Sequence, residues 1–304
     1  MKVRPRCSVC LLQRAFNEIQ LATDDPLLQF QVLQAVINLF AEEFNENAIS
    51  AVLGTKRDRI IRKMTNCPDP YKELKHKSNE LALKLSRPLE QSLNAEKDPY
   101  KRFRSATLAA IVGNILEFDI IEHSIDLENV DYLKDLLLEA EHDLAIDHIR
   151  EIYTLVQSVN QVLFLTDNAG EIIFDKFLIM ELLNLGSHVL VAVKGSPALN
   201  DATWEDAEFA GLITLSQKNS NLNIITTGSD HVGLYYAEIS EHFHYALEHS
   251  KMIIAKGMGY YETLPESSLQ KPIAHLFRTK CSAVAQDVGV QLGQNVALLR
   301  SNTR

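Results

Sequence analysis

Two short strings carry the side chains best suited to chemistry: Asp167-Asn168-Ala169-Gly170-Glu171 and Asn200-Asp201. Each follows a short apolar run and precedes a stretch with helical spacing. Asp and Asn offer hard oxygen donors, which suit Mg²⁺ or Mn²⁺ better than a thiolate-loving metal. Gly170 permits a tight turn, and a helix starting there presents unpaired N–H groups to a phosphate. The plainer role is capping, since Asp and Asn often close a helix N-terminus. Residue type and spacing leave both roles open for Asp167, Asn168 and Asp201. Two carboxylates sharing one crevice need a cation or a shared proton between them. Thr227-Gly228-Ser229-Asp230 adds a small polar turn with hydroxyl and N–H donors. Lys256-Gly257 ends another apolar run, and Arg278-Thr279-Lys280 follows Ile273–Phe277. A single such lysine is commonly only solvated. Two of them with two carboxylates point to a metal and an anionic group.

The elements that must position these residues follow from glycine usage and periodicity. Of 12 glycines, only Gly54 and Gly113 lie in residues 1–160. Helix interiors disfavour Gly whereas strand-to-helix turns use it, so a helical region 1–160 and an α/β region 161–304 are expected. Leu28, Val32, Val36, Leu39 and Phe40 repeat at helical spacing within Leu27–Phe44. Leu133, Leu137, Ala140 and Leu144 continue that pattern, and Ile149, Ile152 and Val156 resume it. Pro88 and Pro99 bracket an expected break around residues 95–98. Beyond residue 160, Gln161–Thr166, His188–Val193, Leu222–Thr226 and Lys251–Ala255 read as short buried strands. Ile172–Leu185 and Leu234–Leu247 read as helices between them. The expected fold is therefore α/β: an open, mainly parallel, doubly wound (Rossmann-like) sheet in the second half, with the helical amino-terminal half packed on it. Ligands in such sheets bind beyond the carboxyl ends of the strands, where the motifs stand.

Taken in order, Asp167-Asn168-Ala169-Gly170-Glu171, Asn200-Asp201, Thr227-Gly228-Ser229 and Lys256-Gly257 resemble the damage-control phosphatase family, catalogued as domain of unknown function eighty-nine. Arg278-Thr279-Lys280-Cys281 with Val284-Ala285 resembles its closing motif. Asp69-Pro70-Tyr71-Lys72-Glu73-Leu74-Lys75 and Gly113-Asn114 resemble its helical half, and Cys7-Ser8-Val9-Cys10 the amino-terminal pair of its microbial branch. The resemblance runs from about residue 7 to residue 299. It implies a divalent-metal-dependent phosphomonoester hydrolase acting on small phosphometabolites such as sugar phosphates, in metabolite damage control. Asp167, Asn168 and Asp201 would hold the metal (Mg²⁺, Mn²⁺, Co²⁺ or Ni²⁺). Asp167, Asp201 and Lys280 would be catalytic, with Gly170, Glu171, Ser229, Lys256 and Lys280 around the substrate. Glu171 would serve as a general base or interact with the helix dipole. Tyr260 departs from the family, which usually has Asn four residues after the motif lysine.

Composition bounds the alternatives. Across 304 residues, 30 Lys+Arg stand against 40 Asp+Glu, a net charge of −10. That balance disfavours nucleic acid as a partner. No apolar stretch approaches the roughly 18 residues of a membrane span, so no membrane partner is expected. Four cysteines are too few for a disulfide framework, which makes a reduced, cytoplasmic setting the expectation. Cys7 and Cys10 read as free thiols, a soft-metal pair or a redox pair, and a zinc site would require Cys67 and Cys281 to join them. Two rivals share the fold class: a methyltransferase, against which counts the missing Gly-rich loop after the first strand, and a non-catalytic phosphometabolite- or metal-binding module.

Overall fold

The computed structural model describes residues 1–113, 138–264 and 269–300. Five helices open the chain: α1 (Cys7–Ala22), α2 (Pro26–Glu43), α3 (Ser50–Thr65), α4 (Lys72–Ala95) and α5 (Pro99–Val112). Asp25 and Asp98 cap α2 and α5 by accepting from the backbone, each followed by a proline at the first helical position. That pairing uses the orphan N–H groups of a helix start and the fixed φ of proline. The break expected between Pro88 and Pro99 is present, and Pro88 itself is helical. It lies inside α4, whose neighbouring Leu85 and Leu89 are anchored in the main core. The break falls at residues 96–98, where the sequence places it.

The sheet has seven strands in the order β1-β7-β6-β5-β2-β3-β4. They are β1 (Leu144–Asp147), β2 (Gln161–Leu165), β3 (His188–Val193), β4 (Leu222–Thr226), β5 (Met252–Lys256), β6 (Ile273–Arg278) and β7 (Asn295–Arg300). Every pairing is parallel except β6 with β7. Leu144 therefore belongs to an edge strand rather than to a continued helix. This strand precedes residue 160, so the boundary expected there is crossed by the sheet. Leu133, Leu137 and Asn114 lie outside the described residues.

Side chains alternate across the sheet, as the two-residue period of a strand requires. Val162 and Phe164 face α4, α5, α6 (Ile149–Ser158) and α7 (Glu171–Asn184), which share one core with them. Leu163 and Leu165 face α10 (Glu241–His249) and α11 (Gly257–Thr263). Between these lie α8 (Trp204–Phe209) and α9 (Leu212–Lys218), and α12 (Ser282–Val288) precedes β7. The helix expected from Leu234 starts later. Leu234 N–H donates to Thr263 Oγ1 at 2.9 Å, a 3₁₀ turn covers Tyr236–Glu238, and Ser240 caps α10.

Helices α1–α3 bury a small core of their own around Ala15, Ile19, Val32, Val36 and Ile61. They are clasped to the strand-end loops. Arg59 and Arg62 of α3 both bind Asp230, Arg62 also donates to the Pro197 carbonyl at 2.9 Å, and Val232 N–H donates to Thr55 Oγ1 at 3.0 Å. Helix α3 thus ties the three-helix unit to the loops beyond the carboxyl ends of β3 and β4, while α4 and α5 pack on one face of the sheet. No helix among the described residues is long and apolar enough to cross a membrane.

Candidate active site

The chain leaves β2 toward β3 on one side and returns from β4 to β5 on the other. The carboxyl ends of β2 and β5 therefore flank a topological switch point, the usual crevice of an open α/β sheet. Asp167 and Asn168 follow β2, and Gly257 follows β5. Gly257 has φ +79°, and a Cβ on it would collide with the Asp167 carboxylate. Only glycine lets that carboxylate lie over the turn.

The loop after β3 is stitched to the loop after β2. Ala202 N–H donates to the Asp167 carbonyl at 2.7 Å, Ala169 N–H to the Asn200 carbonyl at 2.9 Å, and Asn168 pairs with Asp201 in an isolated antiparallel bridge. Residues 33 positions apart are thereby set side by side. Neither aspartate caps a helix. Gly170, at φ +75°, is the N-cap of α7, and Thr203 caps α8 in a box with Asp206. Capping thus drops out for Asp167, Asn168 and Asp201. The tight turn at Gly170 is held by α4, because Gly170 N–H donates to Asn79 Oδ1 at 2.6 Å and a Cβ would press on the Ser78 backbone.

Beneath this pair lies a fully buried ion network. Lys256, 0% exposed, donates to the Ala110 carbonyl at 2.7 Å, to Asp175 Oδ1 at 2.6 Å and to Glu171 Oε1. Burial works against the Lys256 charge, but Asp175 and Glu171 outweigh it and hold the ammonium above its ordinary value. Burial pushes Asp175 up to about 7, against the pull of Lys256. Glu171, 1% exposed, accepts from Asn168 Nδ2 at 3.1 Å, and that nitrogen also donates to Asp167 Oδ2 at 2.9 Å. With its nitrogen committed to two carboxylates, Asn168 turns its carbonyl oxygen the other way.

A second buried lysine serves the β3 end. Lys194 donates to the carbonyls of His231 and Gly233 at 2.7 and 2.8 Å and lies 3.3 Å from Asp201 Oδ2. Burial opposes its charge, and Tyr260 and Asp201 outweigh that effect.

The expected residues are thus partly gathered. Asp167, Asn168, Gly170, Glu171 and Asp201 converge. Lys256 supports Glu171 from below and has all three ammonium protons engaged there, so it does not stand beside a substrate. Ser229 is buried one strand further out, its hydroxyl accepting from His231 N–H at 3.1 Å. Lys280 is exposed just past β6, and its N–H contacts Met258 Sδ at 3.3 Å. Cys7 is half-buried and Cys10 exposed, both as free thiols. Cys67 and Cys281 do not join them in a group of three among the described residues.

Asn79, Asp175 and Lys194 carry no motif that singles them out in the sequence. Weaker signals for two of them exist: Asp175 stands four residues after Glu171, one helical turn on, and Lys194-Gly195 follows β3 much as Lys256-Gly257 closes β5.

The donor set fits a divalent cation. Asp167, Asp201, Glu171 and Asp175 face two lysines, an excess of negative charge that a cation would neutralise. No three His, Cys, Asp or Glu side chains form a ready cage among the described residues. A cation here would be held by two carboxylates and an amide oxygen, a hard set suited to Mg²⁺ or Mn²⁺.

Comparison with known proteins identifies the family to which this fold belongs. Residues 3–296 match the family model described as the damage-control phosphatase ARMT1-like domain, and the chain belongs to that family. It is 34% identical over 298 residues to a damage-control phosphatase of Archaeoglobus fulgidus, covering 98% of this chain and 99% of that one. It is 36% identical to an uncharacterized protein of Methanocaldococcus jannaschii, covering 99% and 96%. The crystal structure of a DUF89 family protein from Pyrococcus horikoshii superposes with a TM-score of 0.87 at 32% identity, covering 98% of this chain and 99% of that one.

Proposed function

We propose that this protein is a divalent-metal-dependent phosphatase that hydrolyses small phosphorylated metabolites, sugar phosphates among them, in metabolite damage control. The observation carrying this reading is the pairing of Asp167-Asn168 with Asp201 over the bare Gly257 turn. Asp167 and Asp201 would supply the charged oxygens and Asn168 the neutral one. When bound, the cation supplies the positive charge and Lewis acidity that a phosphoryl oxygen requires among carboxylates.

The chain's own residues do the rest. Glu171 and Lys256 hold the Asn168 amide in one orientation. Lys194 restrains Asp201. Lys280, exposed just past β6, would contact the phosphate as the family resemblance implies, where a charge-assisted hydrogen bond contributes about 1.5–3 kcal/mol.

The test is phosphate release from a panel of sugar phosphates with Mg²⁺, Mn²⁺, Co²⁺ or Ni²⁺, for the wild type and for Asp167→Ala and Asp201→Ala. Turnover should vanish on chelation, return with metal, and fall at least about 100-fold in either variant while the fold survives. Full activity after exhaustive chelation refutes the mechanism. Metal and phosphate-ester binding without turnover would instead support a binding module.

A further inference from the structure

Tyr260 stands on α11 one turn after Gly257 and is 1% exposed. Its ring packs in the core shared by Leu163, Leu165, Ala192 and Ala255, at the upper ends of β2, β3 and β5. Lys194, Asp201 and Asp167 are the charges that act on its hydroxyl. The Lys194 ammonium lies 4.9 Å from the ring centroid, over the face of the phenol. Yet the hydroxyl has no hydrogen-bond partner among the described residues.

An unmade hydrogen bond on a buried hydroxyl costs about 1–3 kcal/mol, and phenylalanine would fill the same space without that cost. A buried orphan donor beside functional carboxylates therefore calls for a ligand. The neighbouring ammonium groups cannot provide that donor. Lys256 is fully engaged beneath the crevice, and Lys194 is tied to two carbonyls and Asp201. Asp167 and Asp201, when ionised, only accept. A cation over the ring face draws electron density from the phenol and strengthens its O–H as a donor.

We propose that the Tyr260 hydroxyl donates a hydrogen bond to a phosphoryl oxygen held at the Asp167–Asp201 centre, which makes Tyr260 a catalytic residue of this chain. The proposal rests on the phosphatase reading. The proton stays on the tyrosine throughout. Its contribution is positional and electrostatic, a neutral donor where a third ammonium would bind Asp167 or Asp201 instead.

Tyr260→Phe removes one oxygen and keeps the ring. Inorganic phosphate serves as probe, titrated calorimetrically into the Mg²⁺-loaded wild type and variant. Phosphate affinity and kcat/KM should both fall about ten- to a hundredfold, the range of a hydrogen bond to a charged group. Mn²⁺ affinity without phosphate should not change. Thermal stability should stay level or rise, since the orphan hydroxyl is gone, a combination a purely structural tyrosine would not produce. A near-ultraviolet tyrosine difference signal on adding phosphate should appear in the wild type and be absent from the variant.

Phosphate affinity and kcat/KM both within twofold of wild type overturn the proposal. Asp167→Asn run in parallel separates the two levels. If it abolishes turnover while Tyr260→Phe is silent, only the role of Tyr260 falls. If it retains full turnover, or if the wild type binds no phosphate, the phosphatase centre falls and Tyr260 with it.

Discussion

Replacing Lys256 with Met keeps most of the side-chain stem and removes the ammonium from a site that is 0% exposed. Three hydrogen bonds go at once, to the Ala110 carbonyl, Glu171 and Asp175. Both carboxylates stay buried, at 1% and 0% exposure, with no counter-charge from this residue. Breaking a buried ion pair by removing one partner costs about 3–5 kcal/mol. Asp175 answers by taking up a proton. Asp175 already sits at about 7 with the ammonium present, far above the 3.8 of an ordinary aspartate. A carboxyl whose folded value is raised favours the folded state at low pH and loses that benefit as pH rises through the folded value. The deficit should therefore be largest above pH 7 and narrow toward pH 5. Urea unfolding followed by circular dichroism at pH 8 and pH 5 measures it directly. Loss of the Glu171 anchor also frees the Asn168 amide, so Mn²⁺ affinity should drop about 10- to 100-fold, as for other outer-shell partners of metal ligands. A lysine that instead contacted substrate would give a stability change under about 1 kcal/mol and a raised KM with unchanged metal affinity. That pattern refutes the reasoning.

Two further outcomes test other parts of the fold. Gly257→Ala combines a left-handed backbone with a Cβ directed into the Asp167 carboxylate, so it should lower stability by about 1–3 kcal/mol and activity at least about 100-fold; activity within threefold of wild type contradicts the placement of Asp167. Glu18, buried on α1, is pushed up to about 9 by burial and by Asp58. The folded state thus keeps a proton that the unfolded chain releases above about pH 4.5, and stability falls as pH rises between those values. Glu18→Gln should gain about 1 kcal/mol or more over wild type at pH 8.5 relative to pH 6, since each tenfold difference in proton affinity between the two states corresponds to about 1.4 kcal/mol; parallel pH profiles in urea melts would contradict it.

The alternation of apolar runs and Gly-bearing turns after residue 160 was enough to announce a largely parallel sheet and its strand ends. Hydrophobic periodicity is a local property and survives without knowledge of neighbours. Asp167 and Asn168 stood out for the same reason, because they closely follow an apolar run, and Asp201 because it stands just before the next helical stretch. The use of each lysine was not legible, because it depends on which face of the pleat the strand end presents. Lys256 has the parity of Ile254, which faces α5 and α7, so its ammonium meets Ala110, Glu171 and Asp175. Lys194 has the parity of Ala192, which faces the α10–α11 side, and meets Asp201 and Tyr260. A one-residue change of register would exchange those roles. The pairing of Asn168 with Asp201, the edge strand at Leu144 and the continuation of α4 through Pro88 were likewise decided by tertiary contacts. Sequence named the oxygen donors; only packing across the sheet decided that they share one crevice and that Lys256 and Lys194 stand as buried counter-charges beside them.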